Sequence, residues 1–434
     1  MSFRSMLTAL AFASAAFATP LAAETLTIAT VNNGDMIRMQ RLADDFTAKN
    51  PDIHLQWVTL EENVLRQKLT TDIATKGGQF DILTIGTYEA PIWAKLGWLA
   101  PLDKLGAAYD EADLLPAIRD AVSVDGKLFA APFYGESSLL MYRKDLLAKA
   151  GLVMPASPTW AFVADAARKM NDRAAGVSGI CLRGKPGWGE NMALVTSLAN
   201  AFGARWFDDK WRAQFDQPAW KETLGFYVGL MKDAGPVGAT VNGFNENLAL
   251  FQQGHCAMWV DASVAASFLA DPKQSTVADK VGFATPPAGP TGNHGNWLWA
   301  WTLAIPSTSH KVASAEKFIA WATSKSYTEL VAAKEGWAAV PPGTRTSLYA
   351  NPAYLAAAPF AKVTLDAMDN ANADKPRTPY VFWQYVILPQ YQNIGTSVGQ
   401  TVSAALAGSL SVDEALKQAQ ETTTREMTRA GYGK

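Results

Sequence analysis

The chain has 434 residues, with 38 Lys and Arg against 40 Asp and Glu, and its formal net charge is −2. This balance leaves no basic footprint for nucleic acid and no polybasic patch for a membrane surface. A chain of this length exceeds what one hydrophobic core usually serves, so two domains are expected.

The N-terminus has the pattern of a secretory signal peptide. Arg4 precedes an uncharged, mostly apolar stretch that ends at Ala18, and small residues with one proline follow up to Ala23. Cleavage is expected after Ala23 or after Ala18, so residues 1–23 are predicted to be absent from the mature protein. No cysteine lies near either position, and no later apolar run approaches the roughly 20 residues that span a bilayer. The mature chain is therefore predicted to be a soluble protein outside the cytoplasm.

The mature chain begins with alternating strand and helix patterns. Strands are predicted at 26–31, 53–58 and 80–85, and helices lie between them at 36–46 and 64–73. This order predicts an open α/β sheet, in which ligands bind beyond the carboxyl ends of the strands. Polar residues follow the first and third strands at that edge, and they are candidate ligand contacts: Asn32, Asn33, Tyr88 and Glu89.

Glu136 is the one group with a stable charge at neutral pH between Leu128 and Tyr142. It lies in an apolar, strand-like run, where a carboxylate is costly to bury unless something hydrogen-bonds it. One interpretation is a carboxylate that serves a ligand or an ion pair. The other is a strand end that reaches solvent, and this residue taken alone leaves both open.

Helical patterns dominate from about residue 145, with strand-like runs at 256–260, 281–284 and 298–305. Thr159 is predicted to cap a helix that ends at Met170, and 412–427 is predicted to be the closing helix. Several of the fifteen tryptophans form short clusters that fit either a core or a ligand surface. Cys181 and Cys256 are able to pair in an oxidising compartment, but spacing alone does not decide this.

Four motifs in order carry a family resemblance over nearly the whole mature length. They are Tyr-Arg-Lys-Asp-Leu-Leu at 142–147 with Pro-Thr-Trp at 158–160, Ala-Leu-Phe-Gln-Gln-Gly at 249–254, Trp-Thr-Leu-Ala-Ile-Pro at 301–306, and Gly-Trp-Ala-Ala-Val-Pro at 336–341. The chain thereby resembles the family 1 extracellular solute-binding proteins of bacterial ABC importers. Met-Trp-Val-Asp-Ala-Ser at 258–263, the tryptophans of 297–301 and Pro-Tyr-Val-Phe-Trp-Gln at 379–384 are most similar to the sorbitol/mannitol-binding, or polyol-binding, branch.

The resemblance implies a maltose-binding-protein-like fold of two α/β lobes that are discontinuous in sequence and joined by hinge strands. Residues 24–135 with 300–343 would form the N-terminal lobe, and 136–299 with 344–434 the C-terminal lobe. The lobes are expected to close on a ligand held in the cleft between them.

The family pattern also implies site residues. Asn32, Asn33, Tyr88 and Glu89 would contribute from loops of the first lobe, and Glu136 would face the cleft at the first crossing. The positions that meet sugar in maltose-type relatives are Trp188, Glu190 and the stacking aromatic Trp383. One departure is the run Trp259-Val-Asp261-Ala, where many members of the family have Gly-x-Trp. Stacking there is expected to shift to Trp259, with Asp261 binding hydroxyls.

Two further candidates have an alternative role. Trp299 belongs to a strand whose aromatic residues either pack in the core or face the cleft. Arg345 either clamps a hydroxyl with its guanidinium fork or pairs with an acid. Both are retained as candidate ligand contacts.

The resemblance implies a non-enzymatic, monomeric protein of the periplasm. It would bind a sugar alcohol, deliver it to the transmembrane permease of an ABC transporter, and use no cofactor, metal or nucleic acid. The alternatives are a receptor for a mono- or oligosaccharide and, in another class, a secreted glycosidase or lyase. For catalysis, the run 395–399 matches the nucleophile-elbow pattern but lacks a strand-like run before it, and paired carboxylates for glycoside cleavage are not excluded.

Overall fold

The computed structural model describes residues 23–372 and 385–433. The predicted signal peptide, apart from Ala23, and the predicted ligand contact Trp383 therefore lie outside the described residues. Within the described ranges, no helix combines the length and apolar character needed to cross a membrane.

The described residues form ten strands and eighteen α-helices. The strands β1 to β10 are Glu24–Val31, Ile53–Leu60, Ile82–Gly86, Ser123–Val124, Lys127–Leu128, Ala130–Glu136, Ser138–Arg143, Met258–Ala262, Val281–Ala284 and Trp299–Ala304. The helices α1 to α18 are Gly34–Leu42, Asp44–Lys49, Glu62–Ala74, Glu89–Lys95, Pro116–Ala121, Lys144–Lys149, Trp160–Met170, Asn191–Phe202, Pro218–Ala234, Phe244–Gln252, Ala265–Ala270, Val312–Ala322, Lys325–Glu335, Thr346–Tyr349, Pro352–Ala357, Ala361–Asp369, Tyr391–Leu406 and Val412–Arg429.

A five-stranded sheet in the order β2-β1-β3-β10-β6 contains the first part of the chain. β1 pairs in parallel with β2 and β3, while β10 runs antiparallel to β3 and β6. The predicted succession of strand, helix, strand, helix, strand is confirmed. The predicted helix 36–46 is divided at Ala43, where the N–H bonds back to the Gln40 carbonyl at 3.2 Å and tightens the turn.

A second, three-stranded antiparallel sheet has the order β8-β7-β9. The chain passes from one sheet to the other at Ser137, between the end of β6 and the start of β7, and returns to the first sheet through β10. Ser137 and Ser263 hold this crossing to the end of β8 with backbone and side-chain bonds of 2.7 and 3.2 Å. This sheet membership supports the two-lobe division, whose boundaries remain a prediction.

Side-chain caps fix where the helices next to this crossing begin. Asn33 caps α1 by accepting from the Met36 N–H at 3.0 Å, and Glu61 caps α3 by accepting from the Val64 N–H at 3.3 Å. Each cap satisfies a backbone donor that a helix N-terminus leaves unpaired. Thr159 caps α7, as predicted. Loops that lead into α1 and α3 are thereby held in place beside the ends of the strands.

The two cysteines, whose state spacing left open, form a disulfide between Cys181 and Cys256. The bridge joins the segment before Arg183 to the segment that leads into β8. β8 begins at Met258 rather than at the predicted residue 256, because the Ala257 N–H bonds to the Ser178 carbonyl instead of joining the sheet.

Gly86 at the end of β3 lies beneath the indole of Trp299, and a Cβ at this position would overlap the ring. We expect Gly86→Ala to lower the free energy of unfolding by about 1–3 kcal/mol, because the ring is packed and has to move. Urea denaturation of the purified variant measures this. Gly225→Ala is the control, since Gly225 lies on the exposed face of α9, where a Cβ would meet open space. This control should raise the free energy by about 0.5–1 kcal/mol, and equal effects at both sites would contradict the close packing.

Candidate functional site

A cavity with about 510 Å³ of free space, part of it open to solvent, lies at the junction of the two sheets. We call this cavity the cleft. Strands of the first sheet and the loop and helix starts next to them line one side, with Val31, Asn32, Asn33, Glu61, Glu62, Tyr134, Glu136 and Trp301. The segment before α8, the start of α10 and the end of β8 line the other, with Arg183, Lys185, Glu190, Phe244, Asn245, Glu246, Ala262 and Val264.

Glu136 is the last residue of β6 and lines the cleft, although it is only 4% exposed. Its Oε2 atom makes no hydrogen bond with any described residue. Burial raises the pKa of its carboxyl well above the ordinary value, and the nearby Arg183 guanidinium opposes this rise. A buried acceptor without a partner carries a desolvation penalty, which a donor in the cleft would remove.

Tyr134 precedes Glu136 by two residues, so strand alternation places both side chains on one face. The Asn33 amide donates to the Tyr134 hydroxyl at 2.7 Å, while the Asn33 carbonyl oxygen caps α1. Both polar atoms of the Asn33 amide are therefore hydrogen-bonded within the protein, and Asn33 holds Tyr134 in place in the cleft wall. Asn32 reaches across the cleft, where its side-chain oxygen accepts from Asn245 at 3.4 Å.

Glu190 supplies a second buried carboxylate from the opposite wall. It is 3% exposed, and its Oε2 atom also makes no hydrogen bond with a described residue. Its Oε1 atom lies 3.4 Å from the Lys185 ammonium. Burial and the negative charge of Glu62 raise the pKa of Glu190 to about 8, against the pull of Arg183 and Lys185. Each side of the cleft thus presents one carboxylate oxygen without a hydrogen bond from the described residues.

Contacts across the cleft show that the structure is closed. Lys185 Nζ lies 2.6 Å from Glu61 Oε1, and Asn63 donates to the Pro186 carbonyl at 3.3 Å. Glu61 and Asn63 belong to the start of α3, whereas the other two residues precede α8. The Lys185–Glu61 ion pair is partly exposed, so we take it as a contact of the closed state and not as a large source of stability.

Predicted residues Tyr88, Glu89, Trp188 and Trp299 meet around Arg66, beside the cleft but outside its lining. The Arg66 guanidinium lies 4.0 Å from the Trp188 ring centre, 4.8 Å from Trp301 and 5.2 Å from Trp299. Cation–π contact of this kind is strongest where water is excluded. The ring of Trp301 belongs both to this cluster and to the cleft wall.

Glu89 and Tyr88 in this cluster are hydrogen-bonded to other groups of the protein. Glu89 accepts from Arg66 Nη1 at 2.7 Å and from the Gly86 N–H at 3.0 Å. The Tyr88 hydroxyl donates to the Leu388 carbonyl, and its ring centre lies 4.9 Å from that of Trp188. These residues hold Arg66 and the Trp301 wall in position, and the structure gives them no surface in the cleft.

Two other predicted contacts, Trp259 and Asp261, also lie outside the lining of the cleft. Trp259 is wholly buried in a separate apolar cluster, with its ring centre 5.5 Å from that of Phe244. Asp261 lies inside β8 opposite Leu139, where it is wholly buried and bound to Arg183. The hydroxyl contact expected of Asp261 from the sequence is thus not supported by its position.

Arg345 lines a different cavity. Its guanidinium donates to the carbonyls of Thr323 at 3.1 Å and Asp110 at 2.9 Å, and Nη1 lies 3.6 Å from the Asp113 carboxylate. Of the two roles considered from sequence, it takes the pairing with an acid.

Sequence reasoning missed Arg183, Lys185, Tyr134 and the cleft-facing ring of Trp301. Tyr134 could have been predicted, because it precedes Glu136 by two residues and therefore lies on the same face of the strand. Arg183 carried no local signal, since its significance depends on Asp261, 78 residues away.

The described residues form neither a nucleophile elbow at 395–399 nor a metal site. The run 395–399 lies inside α17, so the strand-to-helix turn of a nucleophile elbow is absent there. No group of three or more metal-ligating side chains occurs among residues 23–372 and 385–433. What the cleft provides is a mixed surface of carboxylates, cations and rings that suits reversible binding of a small hydroxyl-bearing molecule.

Two sheets joined by the crossing at Ser137, with a polar cleft between them, are the architecture of a solute-binding protein. The model for bacterial extracellular solute-binding proteins matches residues 33–329. The chain belongs to this family, whose members bind solutes and are not enzymes. The family resemblance found in the sequence motifs is thereby confirmed.

Individual relatives are more specific. A mannitol-binding protein of Pseudomonas aeruginosa is 57% identical over 428 residues, which cover 97% of this chain and 98% of the relative. A crystal structure of an ABC transporter solute-binding protein from Agrobacterium vitis S4 with bound D-mannitol is 66% identical, has a TM-score of 0.93, and covers 95% of this chain and 100% of the other. A solute-binding protein from Agrobacterium radiobacter K84 in complex with ribitol is 25% identical, with a TM-score of 0.82 over 94% of this chain and 100% of the other.

The raised pKa values make closing of the empty cleft depend on pH. A hydrated Glu190 titrates near 4.5, and burial in the closed cleft raises its pKa to about 8, so the closed form binds more protons between these values. Acidification from pH 8 to pH 5 should therefore favour closing of the solute-free protein. Glu136 contributes in the same direction, because its pKa is also raised.

Small-angle X-ray scattering of solute-free protein measures this effect, with a smaller radius of gyration expected at pH 5 than at pH 8. The double variant Glu136→Gln/Glu190→Gln is the control and should lose the pH dependence. A trend of equal size in wild type and control would assign the effect to other groups.

Proposed function

We propose that this chain is the periplasmic solute-binding component of an ABC importer for a sugar alcohol, with D-mannitol as the preferred solute. The observation that carries the proposal is the pair of buried oxygens without hydrogen bonds from the described residues, Oε2 of Glu136 and Oε2 of Glu190, on opposite walls of the cleft. The identity to the mannitol-binding relative and to the mannitol-bound structure supports the same solute.

An alditol supplies the hydrogen-bond donors that the two carboxylate oxygens lack. Its hydroxyls donate hydrogen bonds to the carboxylates, and its C–H groups pack against the rings of Trp301, Tyr134 and Phe244. A hydrogen bond to an ionised group contributes about 1.5–3 kcal/mol. Two or three such bonds with one ring contact reach about −8 kcal/mol, a micromolar dissociation constant, after the cost of ordering a flexible chain.

The charge of the cleft favours an uncharged polyol over an anionic one. Five carboxylates and two cations line it, with Glu61, Glu62 and Glu246 beside the two buried acids and Arg183 and Lys185 opposing them. An aldonate or a phosphorylated alditol would place a further negative charge among these carboxylates, and like charges in a poorly solvated site repel strongly. We therefore expect D-mannonate to bind far more weakly than D-mannitol.

The partners and location of the protein follow from the same proposal. The permease subunits of the transporter would receive the solute from the closed protein in the periplasm. The chain is proposed to act as a monomer without nucleic acid, in keeping with its near-balanced charge.

Calorimetry on protein that has been unfolded and refolded, to strip any bound solute, tests the proposal. D-Mannitol, D-sorbitol and D-arabitol are compared with D-mannonate, glucose, fructose and maltose. We expect micromolar or tighter binding of D-mannitol and at least 100-fold weaker binding of D-mannonate. Preference for a cyclic sugar over every alditol would replace the proposal by a sugar receptor.

Glu136→Gln tests the residue that the proposal places at its centre. The variant keeps the shape but replaces a charged acceptor, so the affinity for D-mannitol should fall at least tenfold, or about 1.4 kcal/mol. The free energy of unfolding without solute should stay equal or rise slightly, because the variant removes the desolvation cost that raises the pKa of Glu136.

Glu222→Gln, on the exposed face of α9, is the matched control and should leave affinity unchanged. Wild-type affinity in Glu136→Gln would remove this carboxylate from the solute contacts.

A further inference from the structure

Asp261 is surrounded by protein donors and has no surface in the cleft. Its carboxylate accepts from the Trp259 indole N–H at 3.0 Å, from the Ala262 N–H at 2.7 Å, and from Arg183 Nε and Nη2 at 2.9 and 2.7 Å. Asp261 is 0% exposed. A solute would have to displace these donors to reach it, so Asp261 is not available for direct contact.

Arg183, in contrast, lines the cleft. Its Nη1 atom donates to the Gly189 carbonyl at 3.0 Å and lies 3.7 Å from Glu190 Oε2, one of the two oxygens without a hydrogen bond from the described residues. A guanidinium has five N–H donors. The bonds to the described residues Asp261 and Gly189 occupy three of them, which leaves one N–H on each terminal nitrogen without a hydrogen bond from these residues.

The backbone around Arg183 is held to the strand that carries Asp261. The disulfide between Cys181 and Cys256 joins the two segments, and the Cys181 N–H donates to the Met258 carbonyl at 2.9 Å. The Tyr227 hydroxyl donates to the Arg183 carbonyl at 2.8 Å. Bidentate pairing with Asp261 then fixes the plane of the guanidinium as well as its position.

We propose that Arg183 binds the solute and determines specificity, and that Asp261, oriented by Trp259, is a positioning residue that acts on the solute only through Arg183. The inference rests on the proposed function and deepens it. Glu136 and Glu190 accept hydrogen bonds, so a cleft with these groups alone satisfies only the donor side of each hydroxyl. The Arg183 fork supplies donors in a fixed geometry, and hydroxyls in one configuration are thereby distinguished from those in another.

A double-mutant cycle on solute affinity tests the inference. Calorimetry with D-mannitol is performed on Arg183→Gln, Asp261→Asn and the double variant, with circular dichroism as the check of folding. We expect each single variant to lose at least tenfold in affinity. The double variant should lose no more than about threefold beyond Arg183→Gln, because Asp261 has nothing to position once the guanidinium is absent.

Two milder variants keep the test decisive where a buried unpaired charge prevents folding. Trp259→Phe removes one donor to Asp261 without changing any charge, and it should weaken D-mannitol binding two- to fivefold in wild type but not in the Arg183→Gln or Arg183→Lys background. Arg183→Lys keeps the charge but loses the fork. It should reduce the ratio of D-mannitol to D-sorbitol affinity at least threefold, a change that a general loss of stability does not produce.

The outcomes separate the two proposals. Wild-type protein that binds no alditol overturns the proposed function and this inference together. Alditol binding by wild type with multiplying losses in the double variant, or with a Trp259→Phe effect that persists without the Arg183 fork, overturns the inference alone. An unchanged D-mannitol affinity in Asp261→Asn would do the same.

Discussion

Glu136 and Glu190 each keep a carboxylate oxygen in a closed, poorly solvated cleft without a hydrogen bond from the described residues. A charged acceptor in that state costs more than the roughly 1–3 kcal/mol of a neutral one. Burial raises the pKa of both groups, because this cost falls on their ionised forms. A closed cleft is therefore unfavourable when empty, and a molecule with several hydroxyls removes the penalty. This constraint makes closing depend on the solute, which is what a receptor that releases its cargo requires.

Much of the surrounding structure keeps these two acids dry and in place. On one wall, Asn33 holds the Tyr134 hydroxyl while it caps α1, so the same side chain fixes a helix start and the cleft surface. Beside that wall, Arg66 lies between aromatic rings and is neutralised by Glu89. On the other wall, Asp261 neutralises Arg183. In both places a buried arginine is paired with a buried acid. Removing either partner is costly, because the remaining charge would be buried without an opposite charge.

The crossing between the sheets explains why these walls meet. β6 ends at Glu136, and β7 starts two residues later in another sheet, so the carboxylate lies where the chain changes from one sheet to the other. Opening of the cleft would separate Lys185 from Glu61, Asn245 from Asn32 and the Trp188 ring from Arg66, while leaving each sheet intact. The Lys185–Glu61 and Asn32–Asn245 contacts are partly exposed and individually weak, so they favour reversible closing. The buried pairs lie within one wall each and do not have to break.

The sequence alone determined the elements and the central acid, because both depend on local information. Apolar periodicity predicted the first three strands with the helices between them, and Thr159 marked the start of α7. Glu136 stood out because one carboxylate in an apolar strand needs a partner. Tertiary structure decided which other residues reach the cleft. Alternation places Trp299 and Trp301 on the same face, but only the packing of Trp299 over Gly86 and the position of Trp301 opposite Tyr134 decide which ring lines the cavity. Asp261 and Arg345 are charged residues of the expected kind, yet each is paired with groups far away in sequence, at Arg183 and at Asp110 and Thr323. Side-chain chemistry shows that a buried charge needs a partner, whereas the folded chain decides whether that partner is the protein or the solute.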